Sequence, residues 1–134
     1  GCIRSLKVNG RNINITDTLV IQDVSGCFKN VESGAYFDGE SWGAFKSDFV
    51  LEPRYSMNME FRTTSDSGVL LSAVSHLGYG LTLELHLGKV KLGLKNSDGE
   101  FRSETTNDNL FLFCDNKWHV VRASFFDGEL SVTV

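Results

Sequence analysis

The chain has 134 residues, 41% of them hydrophobic and only one of them proline, which is enough for one ordinary domain with a real core and argues against disorder. Its formal net charge of −4 argues against a general nucleic-acid binder, which is usually basic. No apolar run is long enough for a transmembrane helix, and no signal peptide opens the sequence. Because the sequence begins and ends inside strand-like runs, we expect a fragment of a larger protein.

The sequence opens on a predicted hairpin. Cys2–Val8 is typical of a strand. The dipeptide Asn9-Gly10 that follows is a strong turn signal, and a two-residue turn there sets Leu6 opposite Ile13.

The chain is predicted to contain two units. Residues 1–27 form the first unit and residues 34–134 the second. Residues 28–33 form a short polar linker that lacks the glycine, serine or proline run of a flexible one, so we expect the two units to hold a fairly constant orientation. The strands of the first unit are candidates to cover an edge of the second.

Short strands also dominate the second unit. Met57, Met59 and Phe61 alternate with polar residues, which predicts a strand with one buried face. Val69–Val74 is a continuous apolar run, for which we expect burial on both faces.

The clearest hairpin lies between residues 81 and 95. Apolar and polar residues alternate on both sides of Gly88-Lys89, so each strand has one apolar face and one charged face. A two-residue turn at Gly88-Lys89 is predicted, and it would pair Leu87 with Val90.

Strands and turns account for the rest of the unit. Asp127-Gly128 predicts a turn that sets Phe125 opposite Leu130. No segment shows a helical period over eleven or more residues. Short strands with regularly spaced turns predict an all-β fold, an antiparallel β-sandwich.

Four stretches together resemble one family. They are residues 1–10 (GCIRSLKVNG), 36–39 (YFDG), 56–64 (SMNMEFRTT) and 114–120 (CDNKWHV). They are similar to the closing motif, opening strand, early hairpin and tryptophan–histidine signature of laminin G-like domains, and details in the first and last resemble laminin α chains. Because the closing motif comes first, the resemblance implies that 1–27 ends one repeat and 34–134 begins the next. It further implies a jelly-roll sandwich that is incomplete at both ends.

The resemblance also implies a function. Laminin G-like domains are non-catalytic adhesion modules, so we expect a secreted protein of the extracellular matrix or basement membrane. The partners implied are integrin or α-dystroglycan type receptors, heparin-like sulfated glycans and other matrix proteins. The alternative is a carbohydrate-binding or carbohydrate-active jelly-roll domain, which as a glycosidase would need two facing carboxylates about 5–10 Å apart.

Three positions carry expectations about covalent chemistry. The resemblance implies a Cys2–Cys27 disulfide, and the alternative is a pair of buried thiols. Asn14 opens the sequon Asn-Ile-Thr and is a candidate N-glycosylation site. We expect Cys114 to be a buried structural thiol.

Calcium is bound at the rim of many laminin G-like domains, but we expect no metal site here. Leu77 stands at the position that matches the first carboxylate ligand of the family. Asp98 is the fallback ligand, although a turn role before Gly99 is favoured.

A set of basic residues is the candidate glycan-binding site. Clustered positive charge binds sulfate groups with strong salt dependence. The alternative is a solvated sheet face on which Glu84, diagonal to the lysines, partly cancels their charge. The candidate residues are Lys89, Lys91, Lys95, Arg102, Lys117 and Arg122.

No catalytic residues are expected. No nucleophile-elbow, phosphate-loop or zinc-protease motif is present. His119 is interpreted as a packed or surface histidine, and Trp42 and Trp118 as core aromatic residues.

Overall fold

The computed structural model describes residues 1–13, 20–26, 34–44, 54–75, 77–106 and 112–134. Within these ranges all the helix or strand structure consists of β-strands. No helix in these ranges is long and apolar enough to cross a membrane. The predicted all-β fold is therefore confirmed. The strands are β1 Cys2–Val8, β2 Arg11–Ile13, β3 Val20–Gln22, β4 Ser25–Gly26, β5 Ala35–Tyr36, β6 Trp42–Ala44, β7 Tyr55–Arg62, β8 Gly68–Val74, β9 Gly80–His86, β10 Lys89–Asn96, β11 Gly99–Glu104, β12 His119–Phe126 and β13 Glu129–Thr133.

Two antiparallel sheets form the sandwich. The seven-stranded sheet has the order β13-β12-β7-β1-β5-β4, with β2 also paired to β1. The four-stranded sheet has the order β11-β10-β9-β8, and β3 pairs with β6 in a separate two-stranded sheet. The predicted antiparallel sandwich is thus confirmed.

The core lies between the inner faces of the two sheets. On β7, Met57, Met59 and Phe61 are each 1% exposed, because alternate residues of a strand point to the same face. On β9 and β10, Leu83 and Val90 are each 0% exposed. These side chains belong to one buried apolar cluster, which joins the sheets.

The leading strand β1 is part of the larger sheet. It pairs antiparallel with β7, from Val8 opposite Met57 to Cys2 opposite Arg62. Its Leu6 is 4% exposed and belongs to the core cluster. The prediction that the leading strands cover an edge of the second unit is therefore confirmed. The assignment of 1–27 and 34–134 to two successive repeats, with 28–33 as a linker, stays a prediction.

The hairpin between β9 and β10 differs from the prediction in its turn. The turn residues are Leu87 and Gly88, at φ of 50° and 75°, so that His86 pairs with Lys89 and Leu85 with Val90. The predicted Gly88-Lys89 turn was wrong by one position, and the pairing register shifts by two residues. A two-residue shift keeps the apolar face intact, so alternation alone cannot distinguish the two registers. Leu87 leaves the core and is 57% exposed.

Two predictions of burial were also wrong. The run at β8 is an edge strand of the four-stranded sheet, where Val69 is 66% and Val74 is 76% exposed. An edge strand is covered less completely than a central one, so an apolar sequence does not ensure burial. Trp42, expected in the core, is 48% exposed on the short strand β6.

Candidate functional site

The outer face of the four-stranded sheet carries most of the predicted basic residues. Val90, Leu92 and Leu94 of β10 are between 0% and 4% exposed on the inner face. The residues between them, Lys91 and Gly93, therefore point outward, away from the core.

Strand register arranges the outward residues in rows. Lys91 lies between Glu84 of β9 and Glu104 of β11, and Gly93 lies between Thr82 and Arg102. Glu84 was predicted to lie diagonal to Lys91. Because the turn is shifted, it lies directly opposite Lys91 instead. Side chains and backbone around Gly93 line a groove of about 570 Å³ that is open to solvent. Its lining is Thr82, Glu84, Lys91, Leu92, Gly93, Arg102, Ser103 and Glu104.

A buried threonine holds β11 against β10 beside the groove. Thr105 is 7% exposed, and its backbone N–H donates to the Val90 carbonyl at 3.0 Å. Its hydroxyl accepts the Val90 N–H at 3.2 Å. These bonds extend the β10–β11 pairing by one residue, which positions Arg102 and Glu104 relative to Lys91.

The lysines of the face differ in their partners. Lys89 forms an ion pair with Glu104 at 3.7 Å, and Lys95 forms one with Glu100 at 3.4 Å. Neither Lys91 nor Arg102 forms an ion pair with any described residue. These two cations therefore line the groove without an ion-pair partner among the described residues, and Glu84 and Glu104 of the same lining balance their charge.

The other two predicted basic residues lie elsewhere. Lys117 is in the loop before β12, where it forms an ion pair with Asp115 at 3.3 Å. Arg122 is exposed on β12 of the larger sheet, opposite Asn58 and Thr133. The prediction that all six cations share one surface is therefore wrong, because four lie on the four-stranded sheet, Lys117 lies in a loop and Arg122 lies on the larger sheet.

The loop before β12 holds a histidine–aspartate pair. His119 Nε2 lies 2.8 Å from Asp115 Oδ1, and its ring contacts Phe61 and Phe113 at centroid distances of 5.8 and 5.4 Å. The hydrogen bond from His119, together with the Lys117 backbone N–H, lowers the pKa of Asp115 to about 2. These contacts give His119 a structural role in packing the loop onto the core.

Trp118 joins that loop to the leading strand. The guanidinium groups of Arg4 and Arg62 lie 4.5 and 5.1 Å from its ring centroid, within the range of cation–π contacts. Arg4 also forms an ion pair with Glu60 of β7. Trp118 is half-buried, so it is a bridging residue rather than the core residue expected.

Several predicted site residues are not tested. Asn14 and Cys27 lie outside the described residues. Cys2 is buried and forms no disulfide bond within the described part of the chain, so the Cys2–Cys27 bridge stays a prediction. Cys114, expected to be a buried thiol, is instead half-buried.

The expectation about calcium also stays a prediction. Among the described residues, no group of three or more histidine, cysteine or acidic side chains is arranged to hold a metal ion. Asp98 lies in the turn between β10 and β11, where its N–H donates to Asn96 Oδ1 at 2.9 Å.

A larger cleft, of about 1000 Å³, opens between the two sheets. Its lining includes Leu6, Met59 and Leu81, which are core residues. We therefore assign it to the interior of the sandwich, and we place the candidate site at the smaller polar groove.

Sequence reasoning missed Gly93 and Thr82 as parts of the site. The signal for Gly93 was present, since a glycine stood at an outward position in the middle of a predicted strand. Thr82 could be recognised only from the true register of the hairpin, which puts it directly opposite Gly93.

Comparison with known proteins identifies the family. The model of the Laminin G domain matches residues 61–134, which is more than half of the chain. Laminin subunit alpha-1 of Homo sapiens and of Mus musculus are each 29% identical over 134 residues, covering 99% of this chain and 4% of the relative. The solved structure of domains LG4-5 of the mouse laminin alpha1 chain superposes with a TM-score of 0.71 at 27% identity, covering 96% of this chain and 35% of that one. The chain spans only a small part of the relatives it matches. The fold and the sequence of the chain agree with those of the proteins it matches, and the chain belongs to the laminin G domain family.

Proposed function

We propose that this chain is a non-catalytic adhesion module of the extracellular matrix that binds sulfated or acidic glycans on the outer face of its four-stranded sheet. Family membership and the similarity to laminin alpha-1 chains support the extracellular, basement-membrane setting. Receptors of the integrin or α-dystroglycan type and other matrix proteins belong to the same proposal as further partners.

One observation carries the glycan-binding part of the proposal. Lys91 and Arg102 flank an open groove and form no ion pair with a described residue. Arginine offers a planar fork of donors that fits sulfate or carboxylate oxygens, and lysine adds a compact point charge. Two such groups on one open face can bind anionic groups spaced along a polysaccharide.

Heparin binding with paired charge variants tests the proposal. We expect Lys91→Ala with Arg102→Ala to weaken binding roughly tenfold, which corresponds to about 1.4 kcal/mol. Lys117→Ala with Arg122→Ala is the matched control, because it removes the same charge from sites outside the face. We expect the control to change binding only slightly. Equal losses in both double variants would point to net charge alone and contradict the assignment of the face.

The solution conditions separate two modes of binding. A salt series should weaken binding by the intact protein, since salt screens exposed charges over about 8–10 Å near physiological ionic strength. We expect the same affinity with added Ca²⁺ and with chelator. Calcium dependence would instead place the ligands of an ion at the glycan site.

The alternative of a carbohydrate-active domain is less well supported. Glu84 and Glu104 flank Lys91 on neighbouring strands, so two carboxylates do lie on the groove. A glycosidase needs one of them to hold a proton, which requires an apolar site. Glu104 instead is 52% exposed and is paired with Lys89.

A further inference from the structure

Gly93 is an unexplained glycine in the middle of a central strand. Its φ lies outside the left-handed region, so the backbone does not require glycine there. A Cβ atom added at this position would meet no atom within 4 Å. Glycine weakens a strand interior, and where packing does not need it, it often marks the close approach of a ligand or another backbone.

The missing side chain leaves a gap with defined borders. Along β10 the gap lies between Lys91 and Lys95, and across the sheet it lies between Thr82 and Arg102. Residues on one face of a strand repeat every ~6.8 Å, so bare backbone separates the two lysines by roughly 14 Å between Cα atoms. That opening has room for a flat ring between the lysine side chains.

We infer that the gap at Gly93 is the contact point for one sugar ring of a linear anionic polysaccharide. The flat face of the ring packs on the bare backbone of β10, and its sulfate or carboxylate groups are bound by Lys91 and Arg102. The hydroxyl of Thr82, at the border of the gap, can donate to or accept from a sugar hydroxyl. This inference rests on the proposed glycan-binding function and adds the place and the shape of the contact.

A peptide strand fits this site less well than a sugar. Peptides bind sheets by pairing with the backbone of an edge strand. β10 is a central strand whose backbone groups already pair with β9 and β11. A ligand of β10 must therefore lie flat on the face and be recognised by side chains and shape, as a sugar ring is.

Substitution of Gly93 separates ligand contact from folding. A Cβ added at Gly93 meets no atom within 4 Å, and valine favours strands, so we expect Gly93→Val to have equal or higher stability in thermal unfolding. We expect the affinity for a heparin hexasaccharide, measured by calorimetry, to fall at least tenfold. Gly93→Ala, which adds a single methyl group, should show a smaller loss in the same direction and serves if the valine variant does not fold.

Ser124→Val is the matched control. Ser124 lies between two buried residues of β12, Ala123 and Phe125, so it points outward from the larger sheet. Valine at this position presents the same side chain on an outer face outside the groove, and binding should not change.

Salt dependence distinguishes a steric block from a lost charge. Gly93→Val keeps every charge, so the slope of affinity against salt should match that of the intact protein, whereas Lys91→Ala should lower the slope. Testing heparin beside its unsulfated backbone polysaccharide shows which anionic group is bound. If sulfate groups hold the ring in the gap, only heparin loses affinity in Gly93→Val; if carboxylate groups hold it, both polysaccharides do. If the intact protein binds heparin and Gly93→Val binds equally well, this inference is wrong and the proposed function stands on Lys91 and Arg102. If the intact protein binds no glycan, both are wrong.

Discussion

The leading strand β1 makes a strong prediction about stability, since its side chains belong to the core of the second unit. Leu6 lies opposite Met59 of β7 and opposite Ile13 of β2. Because Leu6 is 4% exposed, Leu6→Ala removes almost fully buried apolar atoms. We expect a large loss of folding stability from this change.

The magnitude follows from the atoms removed. Leucine to alanine removes three carbon atoms, and burial contributes about 0.8 kcal/mol for each methylene-sized group, which gives roughly 2.4 kcal/mol. The cavity left behind adds to this, and buried leucine-to-alanine changes typically cost about 2–5 kcal/mol in total. We therefore expect roughly 3 kcal/mol. With an m-value of about 2 kcal/mol per molar urea, the unfolding midpoint falls by roughly 1.5 M.

Urea unfolding followed by circular dichroism measures this loss. Lys7→Ala is the matched control, because Lys7 is the next residue of β1 and is exposed on the opposite face. Surface changes of this kind usually stay within about 0.5 kcal/mol. A Leu6→Ala effect no larger than that of Lys7→Ala would falsify the placement of β1 in the core. If Leu6 and Met59 are in contact, their alanine variants should also be non-additive in a double-mutant cycle, by about 0.5 kcal/mol or more.

Three further outcomes are expected. The hydrogen bonds from His119 and from the Lys117 backbone N–H lower the pKa of Asp115 from 3.8 to about 2, so the stabilisation from the ionised carboxylate is complete above pH 3.8 and is lost as pH falls through 2. Asp115→Asn should therefore lower the urea midpoint at neutral pH, and the gap to the unaltered protein should close in acid; a gap that stays constant over the pH series would contradict this. Leu87→Asn should raise stability by about 0.5–1 kcal/mol in the same assay, because asparagine tolerates the left-handed conformation better than leucine does; an unchanged midpoint would count against strain in the turn. The edge strand β8 carries no charged residue and exposes Val69 and Val74, so replacing both with lysine should reduce concentration-dependent association in sedimentation runs, and unchanged association would exclude this edge as its cause.

Local sequence rules predicted the strands well and one turn poorly. Asn9-Gly10 and Asp127-Gly128 give the predicted registers, with Leu6 opposite Ile13 and Phe125 opposite Leu130. Within the described ranges, the three hairpin turns with this geometry each consist of a residue near φ 50° followed by a glycine. At Leu87-Gly88 the first residue is a leucine, which rarely adopts that conformation, so composition gave no turn signal there.

The candidate site was predictable only in part. Alternation placed Lys91 and Lys95 on one face, because the period of a strand needs no knowledge of the rest of the fold. It could not show that Lys95 is neutralised by Glu100 while Lys91 has no ion-pair partner among the described residues. It also could not show that Arg122 lies on the other sheet, since the order of strands depends on contacts between distant segments.

The sandwich separates the residues that hold the fold from those that can bind a ligand. On β10 the inward residues Val90, Leu92 and Leu94 fix the strand against the opposite sheet, and backbone pairing with β9 and β11 fixes its position within its own sheet. The position of the outward residues is therefore set by the inward side chains and the backbone pairing, and it does not depend on the outward side chains themselves. At Gly93 an added Cβ would meet no atom within 4 Å, and glycine weakens a strand interior, so we expect a side chain there to favour folding. A position at which folding favours a side chain and the sequence has none is best explained by a demand that acts from outside the fold, which is why the groove is the part of this surface to test first.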